Sequence, residues 1–265
     1  RFKCDWSSDV CSSDLGDLRL AARLRVQAGE RFDADVELRR HDGDLNVAQE
    51  NGLLWLGLTA VDLNVSAHEG RWSFRPRFNG KTLGTINGEI ELQTDPTLRW
   101  PQREAPLSGS IALDVPQIGI WAGWLPPGWR LGGALSTSAR LGGTYAAPQY
   151  TGSLKANNIE VGNLLEGIAL SQGRLEMALQ GETARIEHFS LRAGEGTLTG
   201  DGSATFGATP GAQLSLKARQ FRLLGRLDRQ LVASGDLQLQ FQGERIRVGG
   251  KLGVDNGLFD LSSRD

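Results

Sequence analysis

Three histidines, two cysteines and a scatter of carboxylates are the side chains of this 265-residue chain whose types could support nucleophilic, metal or acid–base chemistry. Cys4 and Cys11 have the spacing of a small disulfide loop or half a metal site. Both lie within residues 1–15, of which Asp5 to Leu15 reads DWSSDVCSSDL, with Trp-Ser-Ser-Asp nearly repeated as Cys-Ser-Ser-Asp. That segment resembles the in-frame translation of a sequencing-library adapter, so residues 1–15 are set aside as non-native. His41 reads as part of a turn with Asp42 and Gly43, His68 as part of a turn with Glu69 and Gly70, and His188 as standing beside Phe189 at a strand start. No partner is evident for any of them, and solvated positions are expected. Asp33, Asp35 and Glu37 alternate along one strand opposite arginines on its neighbour, the pattern of cross-strand pairing on a wet face. General acid–base work would need one of these carboxylates desolvated, and nothing in the sequence does that. Gly194-Glu-Gly196-Thr-Leu-Thr-Gly200 has one residue too many between its last glycines for a dinucleotide-binding turn and reads as turn and bulge glycine. No nucleophile elbow, phosphate-binding loop or His-Glu-x-x-His occurs. The expectation is a protein without catalytic residues, metal or cofactor.

The composition points to the elements that would have to position any site. The 35 glycines argue against a helix-rich core, because each interior helical glycine costs roughly 1 kcal/mol. Hydrophobic residues make up 39% of the chain, enough to escape the depletion that marks disorder. A net charge of −2 removes the basic field that non-specific nucleic-acid binding requires, so no nucleic-acid partner is expected. No apolar run is long enough for a membrane-spanning helix. The residues after Leu15 contain no cysteine, which is compatible with an oxidising compartment. The first residues lack the apolar core of a signal peptide, and Asp265 follows no closing element, so an internal fragment of a longer protein is expected.

From Gly16 onward the dominant signal is period-two alternation, which sends every second side chain to one face of a strand. Leu18, Leu20, Ala22, Leu24 and Val26 alternate with polar residues, as do Phe32, Ala34, Val36 and Leu38 after a Gly29-Glu30 turn, so the two runs predict a hairpin. The pattern continues through Val61, Leu63 and Val65, through Trp72, Phe74 and Phe78 around Pro76, and through Ile86, Ile90 and Leu92. Glycine two residues before an apolar residue recurs at Gly88, Gly109, Gly133, Gly152, Gly173, Gly196, Gly235 and Gly250, and reads as the opening of a strand each time. The first six are 19 to 24 residues apart, an interval that one hairpin fills. Such a period marks an array whose units bury their apolar faces only against neighbours. The expected fold is therefore all-β: an elongated antiparallel meander over residues 16–265, rolled into a groove. An ordinary β-sandwich is the alternative, against which stands the width of about 100 Å that roughly 20 strands would reach. The run IGIWAGWLPPGW, residues 118–129, interrupts the pattern. Trp121 and Trp124, three apart and followed by Pro126 and Pro127, predict a short helical turn near 118–125. It is read as a helical cap over the open end or edge of the sheet, with an aromatic plug or a membrane-facing patch as the functional alternatives.

If the alternating faces align along the array, they form a continuous apolar strip able to hold an acyl chain. Its candidate lining residues are Ile111, Leu113, Leu135 and Leu154 in the first part. Leu175, Met177, Leu179, Leu198 and Phe206 follow, and then Leu214, Leu216, Leu237, Leu239 and Phe241.

The stretch Leu141-Gly142-Gly143-Thr144-Tyr145-Ala146-Ala147-Pro148-Gln149-Tyr150-Thr151-Gly152-Ser153-Leu154, after Leu131-Gly132-Gly133-Ala134-Leu135 and the proline-ended turn, resembles the recurring unit of the TamB family. This is the translocation and assembly module family, related to AsmA-like envelope proteins. Asp255-Asn256-Gly257-Leu258-Phe259 is similar to it as well. The resemblance covers residues 16–265 and rests on degenerate Gly/Leu patterns. It implies a Gram-negative periplasmic protein, anchored in the inner membrane by an N-terminal helix, whose taco-like apolar groove moves lipid between membranes and supports outer-membrane protein assembly. Phospholipid or another acyl-chain amphiphile would be the ligand. The anchor and the outer-membrane-facing end are expected to lie outside this segment, so their roles are carried over to no residue of it. Two other readings stay open. One is a scaffold that templates incoming β-proteins on its strand edges. The other is a transmembrane barrel, against which stand two tyrosines in the whole chain and polar faces rich in Arg and Glu.

Overall fold

The computed structural model describes residues 2–5, 10–13, 16–49, 52–206, 210–243 and 245–260, with side chains from residue 16 onward except 48–49 and 123–124. The fold is all-β, antiparallel, with one short 3-10 helix. Its residues fall into two compact units, Arg1–Ile120 with Ser136–Gly152, and Trp121–Leu135 with Ser153–Asp265.

In the first unit the strands are β1 (Phe2–Asp5), β2 (Val10–Ser13), β3 (Arg19–Ala28), β4 (Phe32–Asp42), β5 (Asn46–Gln49), β6 (Gly52–Trp55), β7 (Leu58–His68), β8 (Arg71–Gly80), β9 (Gly84–Gln93) and β10 (Leu107–Val115). They pair in chain order except that β4 is followed by β7, while β5 and β6 form a separate ribbon. Asp44 pins the base of that ribbon: its carboxylate accepts the amides of Leu45, Gly57 and Leu58 at 2.8–2.9 Å. The β3–β4 hairpin expected from the alternation forms, with Leu24 opposite Val36 and Val26 opposite Ala34. Pro76 is inside β8, opposite Leu63 of β7, and the recorded β9 pairs step from Phe74–Ile90 to Arg77–Asn87. The proline has no N–H to give, and Gly88 faces it with no Cβ; one added there would come within 3.1 Å of Pro76 Cγ.

The expected helical turn is the 3-10 helix Ile118–Trp124, followed by the long strands β11 (Trp129–Gly143) and β12 (Pro148–Asn163), through which the division of units passes. The second unit continues in β13 (Ile168–Gly181), β14 (Thr183–Ala193), β15 (Gly196–Thr205), β16 (Gly211–Gly225), β17 (Arg229–Gln242) and β18 (Arg245–Phe259), each paired with the next. One buried cluster there comprises Leu191, Ala193, Ala218 and Phe221, with Leu170, Phe189 and Leu198 packed against it. β-Bulges adjoin it. Gln172 and Gln220 have left-handed backbones (φ 51° and 46°), and the pairing register shifts beside each. A bulge bends its strand and increases the local twist. Gly173 completes the packing, since a Cβ there would lie 2.6 Å from both Ile159 Cβ and Leu191 Cδ2.

One expectation needs correcting. Of the eight glycines read as strand openers, only Gly196 begins its strand; Gly88, Gly109, Gly133, Gly152, Gly173, Gly235 and Gly250 are inside theirs. At several of them the partner backbone approaches too closely for a side chain. A Cβ at Gly235 (φ +148°) would be 2.0 Å from Lys251 O, and one at Gly250 (φ +126°) 2.2 Å from Asp236 O. The recurring glycine therefore marks close strand-to-strand approach rather than a turn. Replacing Gly235 with Ala is expected to destabilise the protein by about 2–3 kcal/mol through backbone strain and collision. Gly249→Ala, with nothing within 4 Å and no positive φ, should change stability by less than about 0.5 kcal/mol. Urea unfolding of the two variants measures the difference.

Candidate functional site

Residues directly opposite in an antiparallel pair point to the same face, so the strand registers show which side chains share a surface. In the second unit, Met177 is opposite Ile186, Ile186 opposite Gly202, Gly202 opposite Leu214, Leu214 opposite Leu239, and Leu239 opposite Val248. The adjacent row runs Leu175, Phe189, Gly200, Leu216, Leu237, Gly250. Flanking rows carry Leu179, Ala184, Ala204, Ala212, Phe241 and Ile246 on one side, and Leu191, Leu198, Ala218, Gly235 and Leu252 on the other. The reverse face is polar: Glu176, His188, Asp201, Ser215, Lys217, Asp236 and Gln238 lie there.

Nine of the fourteen candidate residues thus share one face of β13 and β15–β17: Leu175, Met177, Leu179, Leu198, Leu214, Leu216, Leu237, Leu239 and Phe241. Phe206 follows β15, with its amide bonded to Glu182 O at 2.7 Å. Leu135 and Leu154 sit in β11 and β12. Ile111 and Leu113 belong to the first unit, where they are opposite Gly88 and Ile86 on β9. That unit has an apolar face of its own, with Leu24, Val36, Val65, Phe74 and Ile90 in one cross-strand row.

None of the fourteen is among the buried residues; twelve are partly exposed, and Phe206 and Phe241 are exposed at 43% and 41%. A filled sandwich core would have buried them. Exposure is greatest on β18, where Ile246, Val248 and Val254 keep 66–69% of their surface. The counting of alternation missed Ile186, Phe189, Ile246, Val248 and Leu252. In β14 the register shifts between Ile186 and Phe189, which breaks the period-two count. In β18 the glycines at 249, 250 and 253 interrupt it.

The polar faces carry ordered ion pairs. Arg23 meets Glu37 at 3.2 Å as expected, Arg75 meets Glu89 at 2.8 Å, and Arg174 holds Glu176, whose carboxyl is kept below its usual range by that hydrogen bond. The histidine positions need correcting. His41 lies within β4 near its end, His188 in the middle of β14, and His68 is the last residue of β7. His68 is not an unpartnered turn residue: Nε2 is 2.8 Å from Asp35 Oδ1 and Nδ1 is 3.3 Å from Asp33 Oδ1, because β7 pairs with β4 and brings the imidazole over those carboxylates. Among the described residues no group of three or more His, Cys, Asp or Glu is placed to hold a metal ion. The cysteine reading falls on residues 4 and 11, whose side chains lie outside the described ones.

Each unit thus has a sheet with one apolar and one polar face, and two family models match the chain. Residues 13–156 match the family model described as TamB, N-terminal domain, and residues 187–263 match the one described as TamB C-terminal domain. The chain belongs to the TamB family. It is a cell-envelope protein on that ground. Neither the curated proteins nor the solved structures give a match. No helix among the described residues is long and apolar enough to cross a membrane.

The carboxylates of Asp35 and Asp33 raise the pKa of His68 above its ordinary value of about 6.5, with the Asp35 hydrogen bond the largest cause. A folded pKa above the unfolded one makes the contribution fully present below the unfolded pKa and lost as pH rises through the folded value. At an exposed site it amounts to less than about 1 kcal/mol. The stability difference between the native protein and His68→Gln should therefore be greatest below pH of about 6 and shrink towards alkaline pH. Denaturant unfolding of both across that range tests it.

Proposed function

We propose that the apolar sheet faces of this TamB-family chain form the wall of an open groove along which phospholipid or a similar acyl-chain amphiphile passes between the inner and outer membranes. The protein then acts by binding and conduction, without catalysis, in the periplasm. The observation that carries this reading is the in-register apolar face of β13–β18, half-exposed on one side of a sheet whose other side is charged. An acyl chain of about 14 methylenes on such a face gains at most roughly 11 kcal/mol before its immobilisation entropy is counted. That approximately offsets its removal from a bilayer, and a ligand held no more tightly than in its source can slide.

A scaffold role in outer-membrane protein assembly is the second reading: strands of this antiparallel array would template incoming β-segments by main-chain hydrogen bonding.

Mass spectrometry of lipids extracted from the purified protein separates the two, since a conduit co-purifies with phospholipid and a pure scaffold does not. Charge insertion gives the residue-level result. Leu239→Asp places a carboxylate among Leu214, Leu237 and Val248; on an open face it stays hydrated, so stability should fall by less than about 1.5 kcal/mol while lipid occupancy drops severalfold. In a sealed core the same change would cost several kcal/mol. Gln238→Asp, on the charged side, should alter neither. Lipid occupancy unchanged in a folded Leu239→Asp protein would reject the conduit.

A further inference from the structure

Two neighbouring turns of the second unit carry strongly exposed leucines that lie off the registered apolar face. Leu164 and Leu165, in the turn between β12 and β13, are 74% and 70% exposed, and Leu227, in the turn between β16 and β17, is 95% exposed. Leucine singly on a surface needs no explanation, whereas a cluster held in place does.

These turns are locked rather than loose. Asn163, 4% exposed, accepts the Glu166 amide at 3.1 Å, and the Gly167 amide donates to Leu164 O at 3.3 Å. The second turn closes through the Arg226 amide to Arg229 O at 2.9 Å, and Asp228 grips the Arg226 guanidinium through both oxygens, at 2.8 and 3.3 Å. The turns are also joined to each other. The Gly225 amide donates to Gly167 O at 2.8 Å, and Arg226 Nη1 donates to Leu165 O. Gly167 permits the contact, because a Cβ there would be 2.6 Å from Arg226 Cγ.

We propose that Leu164, Leu165 and Leu227 form a rigid tip that inserts into the interfacial layer of a phospholipid bilayer, docking this part of the chain on a membrane surface.

Two features favour a bilayer over a protein partner. The backbone carbonyls of Leu164, Leu165 and Gly167 all accept hydrogen bonds within the tip, which lowers the cost of moving them from water into the less hydrated interfacial layer. Three leucines also offer less area than the ~800 Å² a side that a stable protein interface needs. The nearby charges balance: Arg226 and Arg229 both pair with Asp228, and Glu166 brings the remaining negative charge. Attraction to anionic headgroups is therefore not the driving force, and docking should respond weakly to salt. This docking is independent of the groove, since none of the three leucines lies on the registered apolar face.

Flotation of the full chain with phosphatidylcholine vesicles, at low and high salt, tests it. The native protein should float in both. Each leucine removed from the interface should lower partitioning by about tenfold, so Leu164→Ser/Leu165→Ser/Leu227→Ser should stay unbound while keeping the native circular dichroism and melting temperature. The emission gained in Leu227→Trp should shift to the blue and be quenched by brominated acyl chains. Leu239→Asp should float undiminished. The proposal is overturned if the native protein does not float, if high salt abolishes flotation, or if the triple-serine protein still floats. It is equally overturned if the gained emission is unquenched while the native chain self-associates through the leucines, which would make the tip a protein contact. Loss of flotation in Leu239→Asp alone would mean that the sheet face meets the vesicle, removing the tip proposal and leaving the conduit reading intact.

Discussion

Register between neighbouring strands is the constraint on which this molecule depends. Each strand of β13–β17 is bonded to two neighbours, and the side-chain period of two means that a slip of one residue would turn Leu214 and Leu216 to the charged side and Gln213 and Ser215 to the apolar one. In a layered protein a second sheet or helix would also oppose such a slip. The half-exposure of the apolar rows means that cross-strand contacts carry that task here, as in the run from Met177 through Leu214 and Leu239 to Val248. Paired charges on the reverse face, such as Lys217 with Asp236 at 3.7 Å, favour the same register, though each contributes little at such exposure.

The buried cluster is then local. Leu191, Ala193, Ala218 and Phe221 lie next to Gln172 and Gln220, where the left-handed backbone adds a residue to the strand and shifts its pairing. Away from the bulges the apolar rows stay partly open, out to the strongly exposed residues of β18. Glycine has two tasks in this arrangement. At Gly173 it leaves space that Ile159 and Leu191 fill, and at Gly235 it lets the neighbouring backbone come close.

Much of this was legible from side-chain spacing alone. The β3–β4 hairpin, the apolar rows of β13 and β15–β17, the short helix at Ile118–Trp124 and the Arg23–Glu37 pairing all follow from side-chain type at fixed spacing. What escaped depends on contacts between residues distant in sequence. The glycine recurrence looked like strand starts because glycine commonly marks turns, whereas the reason for Gly235 is Lys251 on the next strand. Ile186 and Phe189 were hidden because a bulge changes the count without changing the face. His68 looked solitary because its partners, Asp33 and Asp35, are 35 and 33 residues away and meet it only when β4 and β7 pair across the β5–β6 excursion.

An apolar face left open is ordinarily a liability, since two such faces would bury each other. A transient occupant relieves it without closing the face. Anything that binds the folded sheet and not the unfolded chain stabilises it by mass action, so an amphiphile lying across Leu214, Leu216, Leu237 and Leu239 would supply part of the burial that a second layer supplies elsewhere. A permanent protein layer would provide more stability, but in the proposed conduit it would occupy the surface along which a ligand would move. Partial burial of these rows, short of a sealed core, is the compromise the proposed conduit would require: cross-strand neighbours give enough contact to fix the register, and the solvent side would stay free for an acyl chain.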